Sequence, residues 1–453
     1  MVALTLRLAL IGHFGLTACT PLQSAADLPP FGGELPFDAS VPSLDAASCA
    51  TSGVGTFMVA IEAPKGVTAS LTLDPDGDAL TLGSGQEVEL PAGNHTLVAP
   101  RVTVQGPVIG QAYYPSEARQ TLCIADGLRS SVTVKYEAEP GSNRLWVSAR
   151  AGSKHTASYT PSKLTTPGAL TTTTTISGAA LDPSALAFDG EGNLWIADRA
   201  GKVLGYARDM LGTDRATSNA DIVLEGASVC TSGVPCGPVA LAFDTTCDLW
   251  LAMPDRILRI SSSQLRGRVE PSVASTMTGV SINKPLALAF DHAGSLWIAN
   301  GGDSSVVRFA ASRLRSDDDR AADTTLLGQA LGDVSSGLST PTSLAFDATG
   351  NLWAGYYAPN VIVRYTAEDQ LISGVVTAQL QLALEGYGFA DGLAFDEFGN
   401  LWATGAEDHL LRFAATTLTD DGDHEAPPSV LPMEGPGKDL AFDPPALGTP
   451  LAR

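Results

Sequence analysis

The chain has 453 residues, long enough for two or three domains. Its 44% apolar and 17% charged residues exclude both a disordered chain and a protein of many membrane spans. Lys and Arg number 27 against 49 Asp and Glu, and a net charge of −22 excludes nucleic acid and anionic lipid headgroups as general partners.

Residues 8–18 (LALIGHFGLTA) form an apolar run of eleven behind Arg7. A bilayer span needs about 20 residues, so the run suits the core of a signal peptide over 1–18. It ends in Leu16-Thr17-Ala18-Cys19, which resembles the lipobox of bacterial lipoproteins. The resemblance implies cleavage before Cys19, lipidation of the Cys19 thiol and new amine, and anchoring of the exported chain in the cell envelope. Thr20, where retained lipoproteins carry Asp, resembles the outer-membrane class. The alternative is a plain secretory signal. Residues 19–48 hold five prolines without periodicity and read as a disordered tether.

Over 49–140 the segments 56–62, 67–73, 86–90, 95–99 and 130–136 alternate Val, Thr and Leu with polar residues, as half-buried strands do. Short strands without a helical period predict a β-sandwich. The stretches ELPAGNHTLVA and SSVTVKYE resemble exported immunoglobulin-like modules. Asp74–Asp78 lacks the Glu that closes an EF-hand loop and reads as a turn. Cys49 and Cys123 bracket this unit and are expected to staple it. Cys230 and Cys236 flank a short loop and are expected to pair, leaving Cys247 free. No cysteine has zinc-ligand spacing.

From residue 141 onward one phrase recurs. It reads LAFDGEGNLWIA at 186–197, LAFDTTCDLWLA at 241–252, LAFDHAGSLWIA at 288–299, LAFDATGNLWAG at 344–355 and LAFDEFGNLWAT at 393–404. A sixth LAFD at 440–443 lacks the Leu-Trp, and a sixth Leu-Trp at 145–146 lacks the LAFD. The period near 50 predicts four strands per unit, with LAFD innermost and Leu-Trp second. The two orphan halves predict a ring closed by 145–149 beside 440–443. The whole is therefore expected to be all-β, a six-bladed β-propeller over 141–453 behind the sandwich. The Asp of each phrase stands beside a turn and reads as a structural cap rather than a metal ligand.

The repeat resembles the NHL family and its six-bladed relatives, the gluconolactonase/regucalcin-type hydrolases and streptogramin lyases. The match is close at 183–197 and 341–354 and degraded at 238–252, where Cys247 replaces the turn Gly. No GxSxG, HExxH or phosphate-binding glycine loop is present, and no His and Glu match a lyase centre. Two registers flank the expected channel mouth. Three residues after each Trp stand Ala149, Asp198, Met253, Asn300, Tyr356 and Gly405. Four before each Phe stand Ser184, Val239, Leu286, Thr342, Asp391 and Lys438. The candidates are Asp198, Asn300, Tyr356, Asp391 and Lys438. The gluconolactonase resemblance implies a divalent cation such as calcium, for which Asp198, Asn300 and Asp391 would be the oxygen ligands. No Glu stands at either register, so the leading expectation is no catalytic residue and no cofactor. The protein then reads as an envelope-anchored scaffold offering a rigid acidic surface to a protein, peptide or glycan. The alternative is a metal-dependent hydrolase or a lyase at the mouth.

Overall fold

Frequent Gly and Pro break the chain into short elements, nearly all of them strands of two to ten residues that share a core. The computed structural model describes residue 49 and residues 52–445, apart from 76, 107, 150–153, 166–167, 179–180, 231–236, 331–336, 406, 420 and 425–428. The expected signal peptide, Cys19 and the tether lie outside the described residues.

Residues 52–138 form two facing sheets. One has the order Glu87–Pro91, Val54–Glu62, Arg129–Ala138, Gln111–Pro115, Val102–Val104; the other Leu80–Leu82, Leu71–Leu73, Gly93–Val98, Arg119–Ile124. Phe57, Val59, Val134 and Tyr136 from the first meet Leu71, Leu73, Leu97 and Ile124 from the second in one buried core. Four of these nine strands escaped the sequence reading because they are short or lack alternation. Cys49 and Cys123 are disulfide-bonded with their Cα atoms 5.6 Å apart. Asp74 makes a turn: its carboxylate accepts from Thr96 N at 2.8 Å and meets His95 Nδ1 at 2.5 Å.

Among the described residues the remaining strands form six further sheets. Their inner strands are Pro183–Phe188, Ala240–Phe243, Pro285–Phe290, Ser339–Phe346, Ala390–Phe395 and Gly437–Asp443. Each packs against the next, and the last packs against the first, so the sheets close a β-propeller. The closing sheet takes Gly437–Asp443 from the far end of the chain and pairs it antiparallel with Arg144–Ala149. There Leu145 stands opposite Phe442 and Trp146 opposite Ala441. All six tryptophans are at most 1% exposed. Five lie edge-to-face on the Phe of the following sheet, with ring centroids 5.7–6.1 Å apart. The Trp–Phe stack thus recurs at five junctions between neighbouring sheets, within clusters of buried Leu, Ile, Val and Ala.

In four sheets a fifth strand appears that the four-strand repeat did not foretell. Arg215–Ala216, Arg268–Val269, Gly374–Thr377 and Gly422–His424, each from the next repeat, pair in parallel with the outer edge of the sheet before. Segments of two to four residues carry no readable period, yet they cover edges that would otherwise offer unpaired backbone.

Cys230 and Cys247 are both disulfide-bonded, and the described residues hold no free cysteine. The expected free thiol at Cys247 is thereby corrected. Cys236, and with it the expected Cys230–Cys236 pairing, lies outside the described residues.

Candidate functional site

Antiparallel pairing brings the start of each inner strand beside the end of the second strand, as Pro183 beside Asp198 and Pro285 beside Asn300. Both registers therefore lie at one end of the channel, but only the inner one reaches its lumen. A polar chamber of about 50 Å³ opens there, lined among others by Ser184, Val239, Leu286, Asp391, Lys438 and Asp439. Ser343 lines it in place of Thr342.

Asp391 and Lys438, from adjacent inner strands, meet in a buried ion pair of 2.7 Å with side chains 3% and 8% exposed. Beside them Asp439 is half-buried, and its two carboxylate oxygens accept from Leu186 N at 2.9 Å and Leu440 N at 2.8 Å. Burial pushes its carboxyl up to about 7, while the two amides and Lys438 hold it down and Asp391 adds to the rise. Asp439 can thus donate or accept a proton near neutrality. Gly392 makes room for it: a Cβ there would lie 2.9 Å from Asp439 Oδ1 and 2.9 Å from Thr404 Oγ1. The Thr404 hydroxyl is buried without a hydrogen-bond partner.

The other candidates serve the framework. Asp198 accepts from Asp182 N at 3.1 Å and Ala200 N at 2.9 Å, closing its own loop, and burial raises its carboxyl. Asn300 donates to Ser281 O at 2.9 Å and Ser305 Oγ at 3.1 Å and accepts from Asn283 N at 3.2 Å. The Tyr356 hydroxyl meets that of Tyr365 at 3.1 Å, and burial pushes it up to about 12. None of the three is among the residues that line the chamber. The reason is one strand of depth: a second-strand side chain reaches the interblade loops, not the lumen. A cation shared by Asp198, Asn300 and Asp391 would have to displace the bonds that Asp198 and Asn300 make to their loops and that Asp391 makes to Lys438. Among the described residues no three His, Cys, Asp or Glu side chains stand where they could hold one.

At the other end the channel is apolar, a cavity of about 160 Å³ lined by the Leu-Ala-Phe residues, Asp439 and Pro445. Here the turn caps behave as the spacing implied. Trp195, Trp250, Trp297, Trp353 and Trp402 donate their Nε1 to Asp189, Asp244, Asp291, Asp347 and Asp396 at 2.8–3.1 Å. The sixth sheet breaks the rule, because Pro444 follows Asp443 where a turn should begin. Asp443 instead accepts from Arg101 of the two-sheet unit at 2.7 Å, and Arg101 also grips Glu139 at 2.7 and 3.0 Å.

Sequence reasoning found Asp391 and Lys438 and missed Asp439. The signal was available three residues before each Phe: Ala185, Ala240, Ala287, Ser343 and Gly392 are small, and Asp439 alone is charged.

No known family description matches the chain, and no curated protein does. Among solved structures it is similar to a Bacteroides caccae protein of unknown function, with TM-score 0.43, 13% identity, and 66% of this chain and 97% of that one covered. It is also similar to a streptogramin B lyase, with TM-score 0.38, 15% identity, and coverage of 56% and 69%. These likenesses carry no weight beyond the geometry above. By its own strand order, the chain is nearly all-β with a few short helices, and its C-terminal part is a β-propeller.

Proposed function

We propose that the protein is an exported, lipid-anchored binding protein of the bacterial cell envelope, seated in the outer membrane through Cys19. In this reading an immunoglobulin-like sandwich carries a six-bladed, NHL-like propeller. That propeller offers a rigid acidic surface to a protein, peptide or glycan, and no cofactor is needed. One observation carries it: the polar side chains of the two registers are spent on one another and on adjoining loops. Asp391 is taken by Lys438, and Asp198 and Asn300 by adjoining loops. Among the described residues that line the chamber, the two serines donate to backbone carbonyls and not to a base: Ser184 to Ala197 O and Pro238 O, Ser343 to Ala390 O.

A second reading, a hydrolase or lyase at the mouth, rests on Asp439, whose carboxyl is held near neutrality in a polar chamber. Two measurements separate the readings. The mature soluble form should capture a partner from envelope extracts, and Cys19→Ser should move the full chain from the membrane to the soluble fraction. Turnover of an ester or lactone panel that is abolished in Asp439→Asn would favour the enzyme. Membrane fractionation unchanged by Cys19→Ser, with no acyl mass on the wild type, would refute the anchor.

A further inference from the structure

The rim of the mouth carries three aromatic rings, of which Tyr357 is exposed, Phe389 is half-buried and Tyr387 rests on the core with part of its surface open. Tyr356 stands opposite Pro341, and Gly405 opposite Ala390. The residues just beyond Tyr356 and Gly405 therefore stand at the same end of the channel as Asp391 and Lys438. Tyr357 is 54% exposed and lies edge-to-face with Phe389, ring centroids 5.0 Å apart. Two residues before Phe389, Tyr387 lies edge-to-face with His409 at 5.9 Å. In the other repeats the position of Phe389 holds Asp182, Gly237, Lys284, Thr340 and Pro436, so the aromatic belongs to this sector alone. Glu385 begins the loop that carries Tyr387 and Phe389, and Glu407 and Asp408 precede His409; all three carboxylates are exposed.

Large apolar rings left in water cost free energy unless something covers them. Aromatic faces beside carboxylates attract an organic cation through the ring quadrupole and the opposite charge together. A chain of net charge −22 adds long-range attraction for a basic partner. We propose that the rim formed by Tyr357, Tyr387 and Phe389, with Glu385, Glu407 and Asp408, is the docking surface for a Lys- or Arg-bearing peptide segment of a partner protein. This rests on the binding-protein reading and names its partner class.

The test is titration calorimetry of the mature soluble chain with tetra-arginine, tetra-lysine, tetra-serine and tetra-glutamate peptides and a neutral oligosaccharide. The basic peptides should bind, more weakly as salt rises. Tyr357→Ala with Phe389→Ala should weaken them at least tenfold while every charge stays in place. Tyr357→Ala alone, at an exposed position, gives the same direction if the double variant fails to fold. Basic peptides that bind the aromatic variants as tightly as wild type would reveal attraction to bulk charge only and overturn the proposal. So would a preference for tetra-serine or the oligosaccharide. Capture of an envelope partner whose binding ignores the rim variants would overturn the rim but leave the binding-protein reading standing.

Discussion

Asp439 shows how one residue sets a pH dependence. Its carboxyl titrates near 7 in the folded chain, against about 4 in an unfolded one. Between those values the folded state holds a proton that the unfolded state has released. Stability from this group is therefore full below pH 4 and falls as pH rises to 7, by at most about 4 kcal/mol. The thermal midpoint of the wild type should drop between pH 5 and pH 8 by several degrees more than that of Asp439→Asn. Equal slopes in the two proteins would refute a proton on Asp439. At this scale the sequence was half legible. Asp391 and Lys438 stood out as polar residues in an apolar register, whereas the fate of Asp198 and Asn300 depended on loops whose paths no periodicity encodes.

Among elements, the informative contrast lies between five turns that close themselves and one that does not. The Asp-x-x-Gly-Asn turns were readable because their chemistry is local: in the first, Asp189 accepts from Glu191 N and Asn193 N, both at 3.0 Å. The partner of Asp443 was not readable, because Arg101 lies 342 residues away in another unit. Trp146 Nε1 and Asp443 Oδ2 are both left without a partner, whereas their five counterparts bond. The Arg101 side chain is 12% exposed, and those of Glu139 and Asp443 are fully buried. Burial and the charge of Asp443 push the Glu139 carboxyl up to about 7 against the pull of Arg101. Arg101→Met keeps the bulk of the side chain and strands both carboxylates. It should cost about 3–5 kcal/mol, read as a lower denaturation midpoint for the whole chain. A loss confined to the two-sheet unit, with the propeller melting unchanged, would show that Arg101 does not tie the units together.

For the whole molecule, the decisive contact joins the two ends of the repeat region. Gly437–Asp443 pairs along Arg144–Ala149 and packs between the inner strands Ala390–Phe395 and Pro183–Phe188. Its Phe442 is 4% exposed and carries the stack on Trp402 at 6.0 Å. Removing residues 437–453 takes away the inner strand of one sheet, uncovers edges on both sides of the gap and deletes Lys438, Asp439 and Asp443, one of the two carboxylates that Arg101 holds. Open edges recruit other chains, so the truncated protein should aggregate and melt earlier. Phe442→Ala is the milder form of the same lesion and should cost roughly 3–5 kcal/mol. A second variant separates ring closure from simple core loss: Leu326→Ala removes buried volume but leaves every strand paired. It should lower the midpoint without producing oligomers. A truncated chain that stays monomeric and keeps the wild-type midpoint would mean that the sheets stand without the closing strand.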